Sequence, residues 1–353
     1  MQKLTVILFL SIIIAFTACE NPVQQETVVN ADESLDKTIT FEKADSILIS
    51  KNIFGVSGAT GWKTKIRLTQ DTNRKEKIES NKNYQISFEK HFNNTEEINH
   101  ELDKPIDSLF RIQSNFKKEF RWFYSYIKYS EVWRPIDRLK LVKSSDYITK
   151  EDQDFIKRLP GEGTILSKTD SAFLKRLNEK IFDQYAITGL FEECFSIMQN
   201  IAQRNSADQN LLTNLINNKQ HVRNRFNGSG NDKFLIRNIL DSLGFKISAE
   251  KYKRDSIELS RDFNSRLAFM TFAQDGQYIN VITMPWCIAK SNADSTVGNK
   301  LFWKPLPTKF AISDYEMYAE AEQFNWWALF VSIFGVAIII WLLARSFKIK
   351  QTR

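Results

Sequence analysis

Three features of this chain have residue types that could do chemistry, and their spacing decides whether they can. Gly55-Val-Ser-Gly58-Ala-Thr-Gly61 places glycines three apart, as a phosphate-cradling loop would. No Lys-Ser/Thr follows and no helical pattern begins there, so the stretch reads as a turn. Ser125-Tyr-Ile-Lys128 matches the bare S-x-x-K of acyl-serine enzymes, but it falls inside an aromatic run with strand alternation and no K-T-G accompanies it. The three histidines, His91, His100 and His221, stand at no metal-ligand spacing from one another, which argues against a zinc site or a Ser-His-Asp arrangement. No cofactor motif and no metal motif is present, and no reaction can be read from the sequence. Carboxylates brought together only by folding stay open as catalytic groups.

The two ends say more. Lys3 supplies a short positive region, and the apolar stretch from Leu4 to Phe16 is shorter than the roughly twenty residues a bilayer core requires, so residues 1–18 read as a signal peptide. Phe16-Thr17-Ala18-Cys19 resembles the lipobox of bacterial lipoproteins. That resemblance implies that Cys19 carries acyl chains such as palmitate and begins the mature protein; without it, the residues are an ordinary cleaved signal. Residues 19–37, polar and opening on Glu20-Asn21-Pro22, read as a flexible tether.

At the other end, residues 325–344 form a run of twenty without a charged side chain, the length of a helix spanning about 30 Å of hydrocarbon. Trp326, Trp327 and Trp341 stand where interfacial aromatic belts lie. Arg345, Lys348, Lys350 and Arg353, in the basic tail 345–353, place that end in the cytoplasm. The body then faces the periplasm from the inner membrane, on the side where a lipidated Cys19 would also be. Ala328, Ser332 and Gly335 share one helix face and offer a close approach to a partner helix.

The formal charge of +7 raises the question of a nucleic-acid partner. Without Lys3 and the four tail cations, 44 basic residues face 42 acidic ones, so the body is nearly neutral. Charge and compartment both exclude nucleic acid. Residues 111–158 hold twelve Lys or Arg against seven Asp or Glu, a surplus suited to anionic head groups or to plain solvation. Beyond Cys19, Cys194 and Cys287 can form one disulfide in an oxidising compartment, or equally stay as two buried thiols.

Between the ends the spacing predicts an α+β fold: an antiparallel sheet domain of residues 38–134 and 265–312 with a helical module, residues 135–264, inserted in it. Strands are expected at Thr38–Phe41 and Asp45–Ile49, and a hairpin from Trp62–Thr69 and Tyr84–His91. The aromatic run around Phe120, Trp122, Phe123, Tyr124 and Tyr126 reads as a strand paired with Leu109–Asn115, its rings in the core of a helix-covered sheet, with an exposed stacking or sugar-binding platform as the alternative. Helices are expected after Thr149 and Ser167, the latter long and bent near Gly189, then over Gln209–Phe226, Lys233–Leu243 and Ala249–Phe263. Leu267–Ala273 and Tyr278–Met284, flanking Asp275-Gly276, read as a second hairpin.

Val281-Ile-Thr-Met-Pro285, Ser291-Asn-Ala293, Val297-Gly-Asn299 and Leu301-Phe-Trp303 resemble the C-terminal strands of LppM-type lipoprotein domains, which also combine a lipobox, a β-α-β body and one C-terminal membrane helix. The resemblance implies an envelope protein in contact with membrane lipid or a glycolipid, and it supplies no catalytic residues. The expected function is a non-catalytic binding or scaffolding role at the periplasmic face of the inner membrane, with an envelope protein or glycolipid as partner. The rival expectation is an enzyme acting on lipid or cell-wall substrates through acidic residues. No feature of the sequence indicates an oligomeric state.

Overall fold

The computed structural model describes residues 22–44, 54–68, 84–103, 110–161, 164–206, 208–226, 232–274 and 276–351. The signal peptide, Cys19, the expected strand Asp45–Ile49, Leu109 and Arg353 lie outside the described residues. Strands and helices are both abundant, so the α+β class holds. The chain divides into two compact units, Arg134–Gln277 with Pro305–Tyr315, and Asn21–Trp133 with Tyr278–Lys304 and Glu316–Arg353.

The second of these is the sheet unit. Its strands are β1 (Pro22–Val29), β2 (Leu35–Ala44), β3 (Lys63–Leu68), β4 (Tyr84–Phe92), β5 (Ile112–Arg121), β6 (Tyr124–Trp133), β7 (Gln277–Thr283), β8 (Cys287–Ser291), β9 (Ser295–Val297), β10 (Lys300–Trp303) and β11 (Tyr315–Phe324). Seven make one sheet in the order β3-β4-β2-β1-β7-β10-β9, and four make another in the order β5-β6-β11-β8. The expected β3–β4 hairpin is present, in register from Lys63 opposite Glu89 to Leu68 opposite Tyr84.

Residues 22–37 are not a tether. Strand β1 pairs antiparallel with β2 from Val23 opposite Phe41 to Val29 opposite Leu35, and every second residue of β1 is buried. The polar composition hid this strand because Gln25, Thr27 and Lys37 point inward with Val23, Val29 and Leu35. A period of two cannot be seen when half of the inward positions are polar.

The aromatic run departs from expectation too. Strands β5 and β6 pair from Ile112 opposite Trp133 to Arg121 opposite Tyr124, so the chain reverses at Trp122-Phe123. No Gly, Pro, Asn or Asp marks that turn. The short helix α1 (Thr95–Leu102) starts on Asn94, whose side chain accepts from the Glu97 amide, and buries Ile98 and Leu102. Asn99 fastens α1 to β5 by bonding both the Ser114 carbonyl at 2.7 Å and the Ser114 amide at 2.6 Å.

The other unit is helical. Helix α2 (Lys150–Arg158) opens on a Thr149–Asp152 capping box, and α3 (Lys168–Asn178) on Ser167. Helix α3 runs through a widened π segment, Glu179–Ala186, into α4 (Ile187–Asn205). Helices α5 (Gln209–Asn217), α6 (Lys219–Arg225), α7 (Asp232–Ser242) and α8 (Ala249–Gln274) follow. Phe191, Phe195, Met198 and Ile201 of α4 pack with Leu240, Phe245 and Phe263 in one core cluster; Ile148, Phe155, Ile156, Leu177 and Ile181 form another. Gly189 does not mark the irregularity of this long helix, which lies upstream of it. A Cβ there would meet Leu139 Cδ1 at 2.5 Å, so the glycine makes room for the Leu139 side chain.

Helix α8 also corrects an expected strand. Leu267–Ala273 continues the helix, with Phe263, Arg266, Phe269 and Ala273 buried at spacings of three and four. Leu267–Ala273 is therefore not the first strand of a hairpin, Asp275 of the expected turn lies outside the described residues, and β7 pairs with β10, Lys300 opposite Thr283. The helical unit accordingly runs to Gln277 and also takes residues 305–315, which the sequence assigns in part to the sheet domain.

Helix α9 (Trp326–Gln351) belongs to the sheet unit and follows β11 after Asn325 alone. Its segment Trp326–Arg345 has a mean hydropathy of 2.5 and is 6% buried, long and apolar enough to cross a membrane.

Candidate functional site

The most distinctive surface of the sheet unit lies where the β5–β6 hairpin meets the start of α9. The base of the hairpin is core, with Ile127, Tyr129 and Trp133 buried. Its tip is not: Phe120, Trp122, Phe123, Tyr124 and Tyr126 are 42–54% exposed, which overturns the expectation that these rings fill the interior. Phe120 stacks on Trp327 with centroids 5.6 Å apart and planes 15° apart, and Trp122 meets the same indole edge-on at 5.7 Å. Tyr124 packs against Phe324, which in turn packs on Trp326.

Asn325 joins the two elements. Its Nδ2 donates to the carbonyls of Arg121 at 3.0 Å and Trp122 at 3.3 Å, and its backbone amide donates to that of Phe123 at 2.8 Å. Ser125 Oγ donates to its Oδ1 at 3.1 Å. The Trp122 indole N–H reaches Ser332 Oγ at 2.9 Å, and that hydroxyl donates to the Ala328 carbonyl at 2.8 Å.

The face that Ala328, Ser332 and Gly335 offer to a partner helix is thus met, at Ser332, by the chain's own hairpin. Ala328 is fully buried, whereas a Cβ on Gly335 would meet nothing within 4 Å. Trp326, Trp327 and Trp341 are exposed, the last with the Arg345 guanidinium 5.6 Å from its ring centroid. Lys348 and Lys350 fall in the final turns of α9.

Strand β6 also carries the polar centre of the sheet unit. Lys37 and Glu131 are both fully buried, on different sheets, and Lys37 Nζ lies 2.8 and 2.9 Å from the two carboxylate oxygens. Thr27 accepts from Lys37 at 2.8 Å and donates to Glu131 at 2.5 Å; Tyr129 Oη and Asn280 Nδ2 donate to the same carboxylate at 3.0 and 3.3 Å. Burial by itself pushes the Glu131 carboxyl up, but the Lys37 charge and the bonds from Lys37, Thr27 and Tyr129 outweigh it and hold the group below the usual carboxylate range. The same burial pulls the Lys37 ammonium down against the pull of Glu131. The donors converging on Glu131 decide for the ionised pair, and burial with the adjacent charge drives the Tyr129 phenol well above its ordinary range.

Beside this network Gln25 is fully buried, and neither amide atom has a hydrogen-bond partner among the described residues. An unsatisfied buried amide costs stability. Gln25→Leu is therefore expected to raise the unfolding midpoint of the sheet unit by the equivalent of about 1 kcal/mol. A lower midpoint in chemical denaturation would mean that the amide is satisfied in solution.

No group of described residues assembles a metal site. A shallow groove of about 250 Å³ on the polar outer face of the larger sheet gathers Glu26, Glu42 and Glu89 with Lys65 and Arg67. Each carboxylate is engaged there: Glu89 by Lys65 at 2.6 Å, Glu42 by Gln85 at 2.8 Å and Glu26 by Lys300 at 3.3 Å. In the helical unit Asp137 is pushed up by burial, against the bonds it accepts from Tyr185 and the Leu139 amide, which serve to hold the Asp137–Leu139 loop.

Ser125 and Lys128 lie on β6, as the strand pattern required, and Ser125 is committed to Asn325. Gly55–Gly61 is a turn ending in a left-handed Gly61 at φ 82°. His91 pairs with Asp36 at 2.7 Å on the surface, while His100 and His221 sit on α1 and α6. Cys194 and Cys287 are not joined: Cys194 packs against the helical core, and Cys287 is exposed at the start of β8 in the other unit. The Asn325 junction and the Lys37–Glu131 pair escaped the sequence reading, because each links residues about a hundred or more positions apart.

No family model matches the chain, and neither does any curated protein. Among solved structures, the folded domain of the Mycobacterium tuberculosis LppM protein, determined by NMR, matches over 87% of this chain and 94% of that one, at 7% identity and a TM-score of 0.28. A structural likeness this weak carries no argument about fold or function.

Proposed function

We propose that this chain is a membrane-anchored envelope lipoprotein with a binding or scaffolding role. The observation that carries the reading is α9, a twenty-residue apolar segment left 6% buried by the body it follows. An apolar surface of that size is stable in lipid and not in water. The lipobox-like Cys19 adds a second anchor. The tail cations put the C-terminus in the cytoplasm and the body in the periplasm, at the outer surface of the inner membrane.

The second reading, an enzyme acting on lipid or cell-wall material, rests on the groove around Glu26, Glu42 and Glu89. Acid–base hydrolysis needs one carboxyl held protonated beside an ionised one. With each of the three engaged by a cation or an amide, the groove suits binding of a polar ligand better than proton transfer.

Two anchors make a joint prediction. Deleting residues 326–353 leaves the protein in carbonate-washed membranes through Cys19, and Cys19→Ser with a replacement cleavable signal leaves it there through α9. Only the double change releases it. Release by the helix deletion alone removes the lipid anchor from the reading, and a soluble wild-type protein removes both.

A further inference from the structure

We infer that the tip of the β5–β6 hairpin, Phe120 to Tyr124, is a wedge that enters the bilayer beside α9 and sits among lipid acyl chains. The inference rests on α9 crossing the membrane. Ser332, which receives the Trp122 indole, lies six residues beyond Trp326, or about 9 Å along the helix axis at 1.5 Å per residue. If Trp326 marks the interface, the tip reaches as deep as an interfacial amphipathic element does.

The chemistry of the turn suits that depth. A backbone carbonyl without a partner costs several kcal/mol in hydrocarbon, and the three carbonyls of the turn, on Arg121, Trp122 and Phe123, all accept from Asn325. The Trp122 indole N–H is taken by Ser332, and the Tyr124 hydroxyl and the Arg121 guanidinium sit at the ends of side chains that can reach back toward the head groups. What the tip leaves outward is ring surface, and it is continuous with the apolar face of α9 through Phe120 on Trp327.

The charges are placed to stay in water. Lys117 and Glu119 pair 2.5 Å apart, five and three residues back from Trp122, which at about 3.3 Å per strand residue is roughly 17 and 10 Å. Arg121, 69% exposed, has a stem long enough to carry its guanidinium back to the head groups. The occupant assigned to the tip is therefore lipid, and a second copy or another protein is an alternative outcome of the test.

The test uses the full chain in phosphatidylcholine vesicles at low protein-to-lipid ratio, with Cys19→Ser, Cys194→Ala and Cys287→Ser in the background. An environment-sensitive nitrobenzoxadiazole label is placed in turn at Phe123→Cys, at Ile338→Cys within α9 and at Thr296→Cys on exposed β9. Quenching is compared between nitroxide-bearing lipids and aqueous iodide. The label at 123 is expected to favour lipid quenching several-fold over the label at 296, with shallow nitroxides more effective than deep ones, and the label at 338 to favour deep nitroxides. Tyr126→Cys, on β6 two residues past the tip, supplies a second position, expected shallower, should the change at 123 disturb folding.

If 338 is quenched by lipid while 123 and 126 respond to iodide as 296 does, the wedge is overturned and the spanning helix stands. If 338 is quenched by iodide, the spanning reading itself fails. A label at 123 shielded from both quenchers means that protein covers the tip, which also overturns the proposal.

Discussion

Lys37→Met is expected to destabilise the sheet unit by about 3–5 kcal/mol, because it leaves the Glu131 carboxylate buried without its cation. Both side chains are fully buried and bridge the two sheets. The readout is built into the chain, since all eight tryptophans lie in the sheet unit and their fluorescence follows its unfolding. Urea titration of the full chain in detergent should show the fluorescence midpoint fall for Lys37→Met and return near the wild-type value for Lys37→Met combined with Glu131→Leu, which removes both charges.

Acid should act on the same pair. The Glu131 carboxyl is held in the folded chain below its ordinary value of 4.5. Its contribution is therefore complete above the usual carboxylate range and is lost as pH falls through the lowered value. The wild type should lose stability over that acid window, and the double variant should lose less. A fluorescence transition indifferent to Lys37→Met would mean that the pair does not hold the sheets together.

Arg266→Leu is expected to be of similar size in the helical unit. The Arg266 guanidinium meets both Glu193 oxygens at 3.1 and 2.9 Å, donates to the Arg138 carbonyl at 2.5 Å and pairs with Asp262 at 3.0 Å. Glu193 also accepts from the Lys140 amide at 2.7 Å. One buried fork thus ties α8, α4 and the segment around Arg138–Lys140 together. Burial alone would lower the guanidinium pKa, but the bonds and charges of Glu193 and Asp262 raise it, so the arginine stays charged throughout.

Removing it leaves Glu193 buried and short of donors, a loss of about 3 kcal/mol or more. Helical ellipticity at 222 nm reports this unit, and its urea midpoint should fall. Arg266→Lys should recover only part of the loss, because an ammonium cannot reproduce the fork. If ellipticity and its midpoint are unchanged in Arg266→Leu, the pair is a surface contact in solution.

Features that belong to one stretch of chain could be read without the fold. Helix α9 is legible because an apolar run of spanning length is a property of that run alone. Helices α2 and α3 announce themselves through Thr149 and Ser167, whose side chains bond amides three residues on. The β3–β4 hairpin shows in its alternation.

Features that need a distant partner could not be read. Polar Gln25, Thr27 and Lys37 look like a solvated tether until Glu131, 94 residues beyond Lys37, supplies the charge that lets an ammonium be buried. Leu267–Ala273 is apolar enough for strand or helix, and only packing of Phe263, Arg266 and Phe269 inside the helical unit settles it. The Trp122-Phe123 reversal has no turn residues of its own; Asn325, about two hundred positions on, supplies the hydrogen bonds its carbonyls need. Local sequence determines what a segment prefers when solvent is its neighbour. Tertiary structure decides the segments whose polar groups are satisfied, or whose rings are left uncovered, by residues far along the chain, because the free energy of burying a charge or a carbonyl depends on the partner it meets there.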